Sequence, residues 1–305
     1  MIAIGSAVTR QDMFDAYAGP GIESIREPDT EVLVFPATGS IFSSYNMLLD
    51  KAAAIEGLEA LVLIHQDAEI VDPDFFTKIR RGLSDPEVAL VGCAGATGVR
   101  SIAWWEGAVT WASYTHRYQE LGGGEIPSIC WVLEDTPSFA AAGEVDSIDG
   151  FVIGFSPWAI RNLRFDETIG SQLHGYDFDI SMQAKAAGKK IVTEDMRVVH
   201  HHSLELISEM DGWIRTHMHL TRKWADQLPG DGAGVTDWED RARRAEATLS
   251  ATRLMAGAGE IIWEARTRNL ESNLGKMQGS SSWRLTRPLR KLGRFGRAPK
   301  DDQPD

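Results

Sequence analysis

The chain has 305 residues, of which 43% are hydrophobic and 25% charged, which predicts a globular protein with one sizeable core. A formal net charge of −13 argues against a nucleic-acid-binding protein, and no apolar run is long enough to span a membrane. With only Cys93 and Cys130, neither a disulfide framework nor a cysteine-based zinc site is expected. The N-terminus lacks the basic segment of a secretory signal, so we expect a cytoplasmic protein.

Strands and helices alternate in the first part of the chain. Strands are predicted at 2–8, 31–35, 60–64 and 88–91, and helices over 40–55 and from Asp72 onward. The segment 60–64 is continuously apolar, as expected of a strand buried on both faces of a parallel sheet. This alternation predicts an α/β fold with a mostly parallel, doubly wound sheet flanked by helices.

The pattern weakens over 92–143, which we interpret as a long insertion above the sheet that lines a site. It returns with a strand-like segment at 147–154, a helix over 177–187 ended by Gly188, and short strands at 190–192 and 196–199.

The C-terminal part has a different character. The predicted organisation is a domain over 1–225, a linker and amphipathic helix over 226–280, and a flexible basic tail over 281–305. Between 281 and 300 there are seven Lys or Arg residues and no acid, which leaves about −20 of formal charge on the rest of the chain.

Three clusters of polar residues could carry chemistry. His65, Gln66 and Asp67 follow the apolar strand, where ligands bind in open α/β sheets and where a carboxylate can hold a divalent cation. An aspartate that only caps the next turn is the alternative. Asp177, at a predicted helix start, is either a general base or a partner of the helix dipole. The third cluster, 200–202, is three histidines after a predicted strand, either metal ligands or surface residues.

Glycines and tryptophans supply a further set of candidates. Asp149 and Gly150 form either a turn that approaches a ligand or a simple turn. Four tryptophans in the insertion either stack on a sugar or belong to the core: Trp104, Trp105, Trp111 and Trp131.

Taken together and in order, these segments resemble the GT-A glycosyltransferases of family 2, and more narrowly a bacterial branch with His-Gln-Asp in place of Asp-X-Asp. The resemblance covers about residues 1–205 and rests on 40–46 with Ala52, 65–67, 149–150, 165–167, 176–181, 188–191 and 200–202. It implies a GT-A-type sheet, here followed by a C-terminal helical extension. Two departures are His65 for the first Asp of Asp-X-Asp, which removes one carboxylate from the metal site, and Tyr176 for a Glu.

The resemblance also implies a reaction and a set of site residues. The expected activity is inverting transfer of a sugar from a nucleotide-sugar donor to a hydroxyl of a glycan or lipid-linked acceptor, in bacterial surface polysaccharide or glycolipid synthesis. Asp177 would be the catalytic base, and Mg²⁺ or Mn²⁺ would be held by Asp67 and His200, with His202 as alternate. The remaining assignments are Ala7, Val8, Thr9, Asn46, His65, Gln66 and Asp67 for the donor, and Asp149, Gly150 and Trp105 for the acceptor.

Two other functions remain open, a non-catalytic scaffold that assembles through the helix over 238–277, and a nucleotidyltransferase. A nucleotidyltransferase would be expected to have a glycine-rich triphosphate loop near the N-terminus, and the sequence shows none there. The tail resembles an element at the ends of bacterial glycan glycosyltransferases, and its basic and apolar residues over 283–297 predict contact with the anionic inner face of the cell membrane. A solvated tail is the alternative.

Overall fold

A computed structural model describes residues 1–104, 107, 109–118, 124–125, 142–169, 173–202, 210–228 and 237–286. The chain forms two compact units, Met1–Gly257 and Ala258–Asp305. The divisions at 225 and 280 stay predictions.

In the described residues, the strands are β1 (Ile2–Val8), β2 (Glu31–Pro36), β3 (Ala60–Ile64), β4 (Ala68–Ile70), β5 (Val88–Gly92), β6 (Ala94–Thr97), β7 (Val109–Ala112), β8 (Tyr114–Tyr118), β9 (Gly124–Glu125), β10 (Glu144–Val145), β11 (Ser147–Ile148), β12 (Val152–Phe155), β13 (Lys190–Thr193) and β14 (Val198–His202). The helices are α1 (Gln11–Ala16), α2 (Ala18–Ile25), α3 (Ile41–Ala53), α4 (Phe75–Gly82), α5 (Pro157–Asn162), α6 (Tyr176–Ala186), α7 (Met210–Lys223), α8 (Asp237–Gly279) and α9 (Ser281–Leu285).

The central sheet has seven strands in the order β10-β13-β5-β12-β3-β1-β2. Parallel pairs join β1 to β2 and β3, and β13 to β5, whereas β12 runs antiparallel between β3 and β5. Strands β3, β5 and β12 are buried at every residue, so their apolar side chains form the centre of the core. The predicted mostly parallel sheet flanked by helices is confirmed.

Helix α3 shows how local sequence positions an element on this sheet. Ser40 caps it, because its hydroxyl accepts a hydrogen bond from the Ser43 backbone N–H while the Ser43 side chain accepts one from the Ser40 backbone N–H. Phe42, Tyr45 and Leu48 on one face are almost completely buried, and each contributes about 1.5–3 kcal/mol to folding. The helix therefore begins at a defined residue and presents Tyr45 to the interior.

The prediction of an irregular insertion over 92–143 is only partly right. Its described residues include β6, which pairs with β7 and β11 in a three-stranded sheet, and β8, which pairs with β14 and β9 in a four-stranded one. These strands have four or five residues at most and lack an alternating apolar pattern, so they leave little periodic signal.

The predicted helix start at Asp72 is wrong. Helix α4 begins at Phe75, and Asp72 is a buried residue whose carboxylate accepts hydrogen bonds from Lys78 Nζ at 2.6 Å and the Arg197 backbone N–H at 3.1 Å. A buried carboxylate requires such partners. Lys78 belongs to the next turn of the chain, whereas Arg197 is a tertiary contact.

Helix α8, which runs for 43 residues, confirms the predicted C-terminal helical extension. Among the described residues, no helix has the length and apolar content needed to cross a membrane. The linker at 229–236 and the tail beyond Thr286 lie outside the described residues.

Candidate active site

Two histidines and an aspartate meet at the end of β3, a strand of the central sheet. His65 and Asp67 follow that strand directly, and the antiparallel pairing of β4 with β14 sets His200 opposite Ala68. Asp67 Oδ1 lies 3.9 Å from His65 Nδ1 and 3.5 Å from His200 Nε2. The three potential ligand atoms lie within 4.8 Å of one another, so these residues could hold a metal ion, and they are called the metal-binding group below.

The chemistry of this group suits a divalent transition metal. Burial lowers the pKa of His65 to about 4, although the Asp67 carboxylate favours the charged imidazolium. The imidazole is therefore neutral at neutral pH and keeps the lone pair that binds a metal. Two imidazoles and one carboxylate suit a transition-metal ion better than Mg²⁺, since Mg²⁺ prefers oxygen ligands.

Aromatic residues fix the two imidazole rings. The Tyr176 hydroxyl lies 2.7 Å from His65 Nε2 and is hydrogen-bonded to it. The Phe151 ring stacks on His200 with centroids 4.7 Å apart and planes 10° apart. With Nε2 occupied by Tyr176, Nδ1 of His65 is the nitrogen that faces Asp67, and it is thereby oriented as a ligand.

Asp177 and Asp149 form a pair of interacting carboxyl groups near this group. Asp177 occupies the first turn of α6, which begins after Gly175 in a left-handed conformation with φ of +81°. Burial, and then the charge of Asp149, raise the pKa of Asp177 to about 7. Burial also raises the pKa of Asp149, even though Trp104 Nε1 donates a hydrogen bond to it at 3.0 Å. Asp177 is thus a carboxyl group that gains and loses a proton near neutral pH.

Gly150 lets these segments approach one another. A Cβ atom at this position would lie 2.2 Å from the Tyr176 hydroxyl oxygen, closer than atoms can pack, so only glycine fits. On its other side, Phe151 accepts a hydrogen bond from the His65 backbone N–H at 2.9 Å. The predicted acceptor turn, the metal-binding group and Asp177 therefore lie in one region.

A buried phenol, that of Tyr45, reports the same proximity. Burial raises its pKa first, and the charges of Asp67 and Asp177 both raise it further. The two carboxylates therefore act on one side chain in the interior of the unit.

Gln66 holds the loop that follows β1. Its side-chain oxygen accepts hydrogen bonds from the backbone N–H groups of Thr9 and Arg10, each at 2.8 Å, and its amide donates to the Thr9 hydroxyl at 2.8 Å. The structure therefore brings the predicted donor residues Thr9 and Gln66 together. The Val8 side chain is buried and Ala7 is half-buried in β1.

The side chains of Asn46 and Asp179 form hydrogen bonds with neighbouring segments of the protein. The Asn46 side chain forms hydrogen bonds with the backbone N–H and the carbonyl of Phe165, both at 2.9 Å. It also donates a hydrogen bond to the Glu167 carboxylate at 2.8 Å. Asp179 is almost fully buried and accepts hydrogen bonds from Lys223 and Trp224, both at 2.8 Å. These contacts join α3 and α6 to their neighbours. Asn46 as a donor residue remains a prediction.

Some expectations concerning the tryptophans and histidines lie outside the described residues. This applies to Trp105, Trp131 and the side chains of Trp111 and His202. Trp104 is 2% exposed and its indole N–H donates a hydrogen bond to Asp149. It therefore belongs to the core and supports the site through Asp149. Sequence reasoning missed the Tyr176–His65 hydrogen bond, because the two residues are far apart in the chain and only the Tyr-for-Glu departure marked the position.

Comparison with known proteins gives the family. Residues 13–220 match the profile of a family described as "Glycosyltransferase like family". The streptomycin biosynthesis protein StrF of Streptomyces griseus is 26% identical over 242 residues, which cover 77% of this chain and 78% of StrF. The O-antigen biosynthesis protein RfbC of Myxococcus xanthus is 24% identical over 181 residues, 56% of this chain and 13% of RfbC.

A similar solved structure is the mannosyltransferase PcManGT from Pyrobaculum calidifontis, in complex with GDP-Man and Mn²⁺. It has 13% identity and a TM-score of 0.45, and the match covers 93% of this chain and 81% of that one. The family match, which spans more than half of the sequence, decides the assignment. The chain belongs to the glycosyltransferase-like family and is an enzyme of the sugar-transferring class.

Proposed function

We propose that this enzyme transfers a sugar from a nucleotide-sugar donor to a hydroxyl group of an acceptor, with inversion at the anomeric carbon. The observation that carries the proposal is the hydrogen bond between His65 and Tyr176, because it joins the metal-binding group to the residue next to Asp177. A charge-stabilising group and a proton acceptor are thereby brought to one region, as displacement of a diphosphate by an alcohol requires.

The metal-binding residues would act on the donor. A divalent cation held by His65, Asp67 and His200, preferably Mn²⁺, would supply positive charge next to the leaving diphosphate. Gln66 and the Thr9–Arg10 backbone that it holds would border the nucleotide, since they lie beside Asp67 at the carboxyl ends of β1 and β3.

Asp177 would accept the proton of the acceptor hydroxyl. As that oxygen forms a bond to the anomeric carbon, the bond between the carbon and the diphosphate oxygen breaks, and the proton passes to the Asp177 carboxylate. A pKa of about 7 suits this role, because a base is most effective when its pKa lies near the working pH. Asp149 and Gly150, which pack against Tyr176, would border the acceptor.

The acceptor would be a glycan or a lipid-linked sugar, in line with relatives named for O-antigen and streptomycin biosynthesis. Residues 283–297 would bring the enzyme to an anionic membrane surface. Sedimentation with anionic vesicles tests this part, and equal binding by a chain ending at residue 280 would contradict it.

A transfer and hydrolysis assay tests the main proposal. Purified enzyme is incubated with UDP-, GDP- and dTDP-sugars and Mn²⁺, and release of the nucleoside diphosphate is measured. We expect Asp67→Ala to lose donor binding and turnover, and Asp177→Asn to lose turnover while it still binds the donor. Asp50→Asn is the matched control, since Asp50 is an exposed carboxylate in a surface ion pair with Arg164. Binding of none of the donors would refute the proposal.

A further inference from the structure

The C-terminal part of α8 exposes a row of large apolar side chains. Trp263 and Leu270 are each 68% exposed, Leu274 is 48% exposed and Met277 is 47% exposed. All four belong to the smaller unit, Ala258–Asp305. Single exposed apolar residues are common on proteins, whereas a row of them along one helix marks a surface that binds a partner.

The spacing of this apolar row is that of a coiled-coil seam. Trp263, Leu270 and Met277 recur every seven residues. Leu274 lies four residues after Leu270 and three before Met277. In a heptad written abcdefg, the row therefore occupies three d positions and one a position, and Thr267 takes the other a position. A seven-residue repeat keeps one narrow face of a helix turned towards a second helix with the same repeat.

Charged residues limit the length of the row. Towards the N-terminus the d positions continue with Ala256 and Leu249, but the a positions between them and the row are Glu260 and Arg253. A charged side chain is costly to bury in a helix interface. The apolar face is therefore confined to 263–277, about two heptads, and a helix pair of that length associates weakly.

The charges beside the row fit a second copy that runs in the same direction. The flanking e positions carry Glu264 and Glu271, and a flanking g position carries Arg266; all three side chains are exposed. In a parallel pair, a g residue faces the e residue of the partner's next heptad, which sets Arg266 opposite Glu271 of the other copy, twice by symmetry. In an antiparallel pair, e residues face e residues, so glutamate would lie against glutamate.

We propose that residues 263–277 pair with the same residues of a second copy of this chain, as a parallel coiled coil. Removal of the apolar row from water drives the association, and the two symmetric contacts between Arg266 and Glu271 set its direction. Two copies form the smallest symmetric assembly that makes both contacts. The pairing does not depend on the sugar-transfer reaction, so it stands or falls separately from the proposed function.

Sedimentation velocity of the full chain, up to a concentration of about 100 µM, tests whether the row pairs. The wild type should sediment as a dimer at the upper end of this range. Leu270→Glu/Leu274→Glu should weaken self-association at least about 100-fold, because it places two charges on each side of the seam. Asn269→Glu/Ser272→Glu is the matched control, since it adds the same charge at exposed c and f positions and should sediment as the wild type does.

Charge reversal tests the direction, and it leaves the apolar row intact. Arg266→Glu and Glu271→Lys should each weaken self-association about three- to tenfold, because like charges then face each other in both symmetric contacts. The Arg266→Glu/Glu271→Lys variant should recover the wild-type affinity. The two residues are five positions apart and do not face each other on one helix, so recovery requires contact between two copies.

Four results would overturn the pairing. They are a wild type that stays monomeric up to about 100 µM, a dimer that Leu270→Glu/Leu274→Glu leaves intact, an equal loss in Asn269→Glu/Ser272→Glu, and no recovery in the doubly reversed variant. Sedimentation with vesicles of phosphatidylcholine and phosphatidylglycerol covers the other occupant of an apolar helix face. If the row binds lipid instead, the wild type stays monomeric and Leu270→Glu/Leu274→Glu loses vesicle binding, which also contradicts the pairing.

Discussion

The hydroxyl oxygen of Tyr176 lies 2.7 Å from Nε2 of His65. This contact connects the end of β3 with the first turn of α6, and hence the metal-binding group with Asp177. Because Tyr176 is buried and its pKa is raised, chiefly by burial, its hydroxyl stays protonated and can orient the imidazole without adding charge.

The rate of transfer should depend on the protonation of Asp177. Below a pH of about 7 the carboxyl group is increasingly protonated and cannot accept the acceptor proton. The logarithm of kcat should therefore fall by about one for each pH unit. The titratable groups that interact electrostatically with Asp177 are Asp149, Tyr176 and Tyr45. A kcat profile from pH 5 to 9 with saturating donor and Mn²⁺ measures this. The remaining activity of Asp177→Asn, lower by about 10²–10⁴-fold, should lack this dependence.

The same carboxyl group should cost stability at high pH. Its pKa is about 7 in the folded state and 3.8 in the reference state, so the folded state binds the proton more tightly and stability falls as pH rises from about 4 to about 7. Asp177→Asn should therefore raise Tm at pH 8 by a few degrees and have little effect near pH 4. Thermal melts of both proteins across this range measure the difference. A lower Tm for the variant at pH 8 would contradict the raised pKa.

Mn²⁺ should stabilise the protein through three residues. Binding to the folded state raises Tm by mass action, and a saturating 100-fold excess over Kd corresponds to about 2.7 kcal/mol. His65→Ala, Asp67→Ala and His200→Ala should each reduce this Tm increase or remove it, since each takes away one ligand. His219→Ala, in an exposed position on α7, is the control. An unchanged Mn²⁺ effect in all three variants would exclude the group as the metal site.

Gly150→Ala should disturb the site by steric pressure. Its Cβ would collide with the Tyr176 ring, and forcing extra atoms into a packed region costs about 1–3 kcal/mol. We expect lower stability in urea unfolding and weaker donor-dependent turnover, because Tyr176 is displaced from His65. Gly143→Ala is a matched control, since nothing lies within 4 Å of a Cβ there. If Gly150→Ala unfolds like the wild type, the packing described here is incorrect.

Lys223→Met should destabilise the larger unit. Asp179 is 1% exposed, and the loss of one charged donor to a buried carboxylate costs about 1–3 kcal/mol. Lys190→Met removes an exposed pair with Asp85 and should change the free energy of unfolding much less, because solvent screens such a pair. Urea titrations of both variants compare the two values. Similar small losses would mean that Lys223 does not hold Asp179.

The sequence predicted much of the sheet because the signals there are local. The apolar run 60–64 is a strand at those residues, and the acids at 177 and 179 do begin a helix. It misplaced the start of α4, since Asp72 bonds a segment at Arg197 that is distant in sequence. It also missed β6 to β8, whose pairing partners rather than their own patterns make them strands.

By itself, the sequence determined that His65 and Asp67 stand at the end of a buried strand and that Asp177 starts a helix. These features were predictable because hydrophobic runs and helix starts depend on residues that are neighbours in the chain. Only the tertiary structure decided that His200 joins Asp67, through the antiparallel pairing of β14 with β4. It also decided that Gly150 and Tyr176 meet, because β12 runs antiparallel beside β3. These contacts join segments far apart in the chain, and their geometry follows from strand pairing and core packing, to which no short stretch of sequence is a guide.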